Sequence, residues 1–66
     1  MRIRLNGKEL EEETTLTVAA LLERLRAGND RVAVAVNGVV VPRAEQSTRV
    51  LEEGDEVEVI HAVAGG

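Results

Sequence analysis

No cysteine, phenylalanine, tyrosine or tryptophan occurs among the 66 residues, and histidine occurs once, at His61. Without cysteine there is no disulfide framework, no thiolate nucleophile and no thiolate metal site. A single histidine excludes a histidine pair on a metal. Without aromatic rings there is no stacking platform for nucleobases. The first residues, Met1 to Asn6, alternate apolar and polar side chains, unlike an export signal. Apolar runs no longer than Val32 to Val36 are far too short to span a bilayer, so the expected setting is the cytoplasm. A chain of this size forms one small domain, with little volume to spare for an enclosed active site.

What is present is aliphatic and charged. Hydrophobic residues make up 44% of the chain, enough for a packed core rather than disorder. The net charge is −4, and it is placed unevenly: residues 1–43 sum to +1 and residues 44–66 to −5. An acidic C-terminal third repels nucleic acid phosphates. It suits either a solvated face or attraction to a basic protein surface. Glu11, Glu12 and Glu13 read as a solvated edge, since no histidine or base accompanies them.

Residues 1–5 alternate as a strand, with Ile3 and Leu5 on one face and Arg2 and Arg4 on the other. Asn6-Gly7 predicts a two-residue hairpin turn, because both central positions need positive φ. Lys8 to about Glu13 forms the partner strand with Leu10 inward. Thr17 is placed to cap a helix over residues 17–27. Val18, Leu21, Leu22 and Leu25 give that helix one apolar stripe, and Gly28 suits its C-terminal cap. Val32 to Val36 is apolar on both faces, which marks an interior strand with its alanines on the face away from the helix. Asn37-Gly38 repeats the hairpin signal before Val39 to Val41, and Pro42 ends that pairing. Residues 43–48 are a polar connection with room for a helical turn. Arg49 to Leu51 suggests a brief edge strand, Glu53-Gly54-Asp55 a turn, and Glu56 to His61 the last strand.

The order β-β-α-β-β-β, with one helix to cover the sheet, gives an α+β fold with a mixed sheet of four to five strands. A right-handed crossover sets the first and third strands side by side or nearly so. This is the plan of a β-grasp domain, here over residues 1–63, followed by a flexible tail at 64–66.

Val63-Ala64-Gly65-Gly66 closes the sequence. Two glycines carry no side chains to obstruct a narrow channel, and they permit close backbone approach to an activating site. A terminal carboxylate becomes a good electrophile once it is joined to a nucleotide as a mixed anhydride. The alternative is a frayed, inert end.

Ala35-Val36-Asn37, Val41-Pro42-Arg43, Leu51, Gly54-Asp55 and the closing Val63-Ala64-Gly65-Gly66 together resemble the ubiquitin-like sulfur-carrier proteins of thiamine (thiazole) biosynthesis. Thr17-Val18 followed by Leu21-Leu22 fits the same pattern. The resemblance covers essentially the whole chain. It implies that Gly66 is adenylated by an E1-like adenylating enzyme using ATP and magnesium, then converted to a thiocarboxylate by persulfide sulfur from a cysteine desulfurase or another persulfide donor. A thiazole synthase then accepts the sulfur. The chain itself is a co-substrate rather than an enzyme, binds no cofactor or metal, and is a monomer when free. Residues 44–48 and Ile60 lack aromatics that many relatives carry there. Sulfur carriers for molybdopterin synthesis also end in Gly-Gly, but are usually longer and often have prolines before the tail, whereas residues 60–63 here have none. A plain β-grasp interaction module with an inert tail is the competing class.

Within that reading, Gly65 and Ala64 thread with Gly66 into partners. The sheet face away from the helix is the candidate partner surface, with Glu58 and Ile60 on it by parity and Ala62 and Val63 leading into the tail. Arg43 is a further candidate contact. His61 reads as an ordinary strand-end residue, and Gly54-Asp55 as a turn pair.

Overall fold

A computed structural model describes residues 1–25 and 32–61. Five strands and one α-helix follow in the order β1 (Arg2–Leu5), β2 (Lys8–Glu11), α1 (Val18–Arg24), β3 (Val32–Val36), β4 (Val39–Val40) and β5 (Glu56–His61). The strands form one mixed sheet in the order β2-β1-β5-β3-β4. β1 and β5 are parallel, while the other pairs are antiparallel. This is the expected β-grasp plan. β1 and β3 are near neighbours rather than adjacent, because β5 lies between them.

Both hairpins turn as the Asn-Gly pairs require. Asn6 and Gly7 have φ of 49° and 84°, and Asn37 and Gly38 have 52° and 81°. The asparagines also reach into the sheet. Asn6 Oδ1 accepts from the Val59 amide at 2.9 Å, and Asn37 Oδ1 from the Glu56 amide at 2.9 Å. Each hairpin thereby fastens to β5 through its turn residue as well as its strand. Asp55 joins this network from the preceding turn. Its carboxylate accepts from Asn37 Nδ2 at 2.9 Å and from the Glu52 amide at 2.8 Å. The predicted turn pair therefore has a buried, hydrogen-bonded member.

The core is aliphatic: Ile3, Val18, Leu21, Leu22, Val34, Val36, Val41, Leu51, Val57 and Val59 are buried together. Leu5, Leu10, Leu16 and Val32 pack around them. Thr17 caps the helix, its Oγ accepting from the Ala20 amide at 3.1 Å. Two further amides at that end bond to the returning connection: Val18 to the Arg49 carbonyl and Ala19 to the Gln46 carbonyl, each at 2.9 Å. A short 3₁₀ turn over Arg43–Glu45 occupies this connection, as the polar stretch allowed.

Three expectations change. The helix ends at Arg24, so Leu25 is its C-cap and is 41% exposed rather than part of the buried stripe. Gly28 lies outside the described residues. Arg49 to Leu51 is not a strand; it makes one bridge, Thr17 to Val50, with the Leu51 amide donating to the Leu16 carbonyl at 2.8 Å. Glu12 is not part of a solvated edge. It is buried and ion-paired with Arg24 where the chain leaves β2 for the helix. Burial of a carboxylate is tolerated there because the helix supplies its countercharge. The Met1 amino group anchors the same corner by donating to the Glu12 carbonyl at 2.6 Å.

Candidate functional site

The helix covers one face of the sheet and leaves the other open. Strand parity and register define what the open face carries. Buried Val57 and Val59 point to the helix side of β5, so Glu56, Glu58 and Ile60 point away from it. Directly opposite residues share a face. Ile60 therefore stands beside Ala33, and Glu58 beside Ala35. Ala35 in turn stands beside Val40. On the other flank, Arg4 lies between Glu9 and Glu56, and Arg2 opposite Glu11.

The open face is thus divided. The β2-β1 half is charged and internally matched; Arg2 and Glu11 approach to 3.7 Å. The β5-β3-β4 half is apolar, with Ile60 56% and Val40 65% exposed. Glu58 sits on the boundary. Exposed Glu53, which accepts from the Arg2 amide, and Glu56, opposite Arg4, belong to the charged half. An apolar patch bordered by acids fits a protein partner with an apolar centre and basic edge. Among the described residues, no group of three or more histidine, cysteine or acidic side chains could hold a metal.

The structure brings Glu58 and Ile60 together on the open face, at the end of β5 from which the chain runs towards the Gly-Gly pair. Arg43 lies elsewhere, at the start of the 3₁₀ turn on the connection that meets the N-terminal end of the helix. Ala62, Val63, Ala64, Gly65 and Gly66 lie outside the described residues. Val40 is the patch member that strand parity in β5 alone misses. Its signal was the Asn37-Gly38 turn: a two-residue loop pairs Val36 with Val39 and hence Ala35 with Val40.

Similarity to known proteins runs the length of this frame. Residues 2–66 match the ThiS family. The chain is 30% identical over 66 residues to the sulfur carrier protein ThiS of Escherichia coli K12, covering all of both chains. It is 39% identical over 66 residues to a thiazole synthase of Magnetococcus marinus, a match that covers 100% of this chain and 20% of that protein. The chain thus spans about a fifth of the length of the thiazole synthases it matches. The crystal structure of a thiamine biosynthesis protein (ThiS) from Geobacter metallireducens superimposes with a TM-score of 0.85 at 30% identity, covering 100% of each chain. No helix among the described residues is long and apolar enough to cross a membrane. Agreement of sequence and fold from one end to the other means that this chain belongs to the ThiS family.

Proposed function

We propose that the chain is a sulfur carrier of thiamine biosynthesis, a protein co-substrate whose reacting group is the Gly66 carboxylate. The observation that carries this reading is the end-to-end match to a sulfur carrier of the same extent. The fold supports it: Ile60, exposed on the apolar half of the open face, sits next to the last residue of β5, the strand that leads towards Gly66.

The chemistry divides between carrier and partners. The Gly66 carboxylate attacks the α-phosphorus of ATP on an E1-like adenylating enzyme, with magnesium, and pyrophosphate leaves. The acyl-adenylate is then attacked at its carbonyl by persulfide sulfur from a cysteine desulfurase system, and AMP leaves. A thiol cuts the remaining S–S bond, which frees the thiocarboxylate for a thiazole synthase. No side chain of the carrier takes part in these steps. Its own contribution is binding energy from the open face, which offsets the ordering of Ala64, Gly65 and Gly66 in a partner's channel. Glu58 and Ile60 supply it from β5, Ala62 and Val63 from the sequence that follows, and Arg43 from the connection. A cytoplasmic setting follows from the reducing conditions that persulfide relay needs.

Intact-mass spectrometry tests this. Incubation with ATP, magnesium, the adenylating partner and a persulfide donor should replace one oxygen of Gly66 by sulfur. An unchanged mass with a demonstrably active partner overturns the reading.

A further inference from the structure

The two Asn-Gly turns share a sequence and a backbone conformation, yet their surroundings are opposite in charge. Asn-Gly is the dipeptide most open to spontaneous deamidation, because glycine leaves its amide nitrogen unhindered. That nitrogen attacks the asparagine Cγ, a C–N bond forms, the bond to Nδ2 breaks and ammonia leaves. Water then opens the succinimide to aspartate or isoaspartate.

We propose that Asn6 is a deamidation site in the folded protein and that Asn37 is protected by the fold. At Asn6, Oδ1 is held by the Val59 amide, while Nδ2, the leaving group, has no partner among the described residues. Arg4 Nη2 donates to the Gly7 carbonyl at 3.2 Å, so a cation stands beside the turn. That charge favours both the ionised glycine amide and the carboxylate product. At Asn37 both ends of the side chain are held, Oδ1 by the Glu56 amide and Nδ2 by the Asp55 carboxylate. Rotation of Cγ towards the Gly38 nitrogen breaks a hydrogen bond to a charged group. The product would set a second carboxylate against Asp55, which is buried. Opening one charge-assisted bond slows attack roughly tenfold.

The products differ in consequence as well. An aspartate at position 6 still accepts from the Val59 amide and tolerates positive φ. An aspartate at position 37 loses the donor that Asp55 requires. The aspartate product thus forms at the turn where the fold tolerates it.

The test incubates the folded protein at mildly alkaline pH and follows the tryptic peptides 5–8 and 32–43 by chromatography and mass spectrometry. Aspartate and isoaspartate should appear at residue 6 roughly tenfold faster than at residue 37. In urea the two rates should converge. Arg4→Gln, read in the tryptic peptide 3–8 that this variant yields, should slow the reaction at Asn6, and Asn6→Asp should melt with the parent while Asn37→Asp melts lower. Equal rates in the folded protein, the reverse order, an amide retained at Asn6, or a gap that persists in urea overturns the proposal.

Discussion

Single polar side chains fix how the strands and helix of this small domain meet. Thr17 Oγ satisfies one amide at the helix start, and two connection carbonyls satisfy its neighbours. Thr17→Ala should cost about 1 kcal/mol in urea unfolding, with the m-value unchanged. The cap was legible in the sequence because threonine directly precedes an apolar stripe. The roles of Asn6, Asn37 and Asp55 were only half legible. Their turns follow from local chemistry, but their bonds to β5 and to one another join residues far apart in the chain, which no local pattern encodes. Glu12 shows the same limit. Its neighbours in sequence are exposed glutamates, and only the helix packed above it makes it a buried ion pair.

At the scale of elements, α1 is too short to be stable alone and depends on its buried stripe. Leu21 is 1% exposed and Leu25 41%. Leu21→Ala should therefore cost about 2–5 kcal/mol, enough to unfold a domain of this size, whereas Leu25→Ala should cost well under that. Circular dichroism during urea titration separates the two. The helical spacing placed both leucines on one face, but spacing says nothing of where the helix stops. Strand pairing behaved better. The two-residue turns fix register, so the faces of β3, β4 and β5 were readable from parity. Arg49 to Leu51 has strand-like composition, but the connection spends its backbone groups on the helix start instead of a neighbouring strand.

For the whole molecule, the proposed function places folding and transfer in separable parts. The buried core ends at Val59. Removal of Gly66 should leave the melting temperature unchanged and abolish thiocarboxylate formation, as read by intact mass. Ile60→Asp should likewise leave melting unchanged, since the side chain is 56% exposed. It should raise the apparent KM of the adenylating partner for the carrier about tenfold, the loss expected for one apolar anchor. A drop in kcat alone, with KM unchanged, would place the contact surface elsewhere. The fold class and the open face were legible in the sequence. The apolar patch as a unit was not, because it is assembled from three strands whose spatial order differs from their order in the chain.

That order has a consequence for biosynthesis. β5 comes last in chain order among the described strands and is the middle strand of the sheet, and the two hairpins meet in the sheet only through it. A nascent chain still lacking β5 has no strand to join its two hairpins into one sheet, so completion of the domain waits for residues 56–61. A fragment of residues 1–55 should show no cooperative melting by circular dichroism. Quality control against early termination is thereby written into the topology: a chain that stops before β5 lacks the strand that joins its hairpins and is left open to proteolysis.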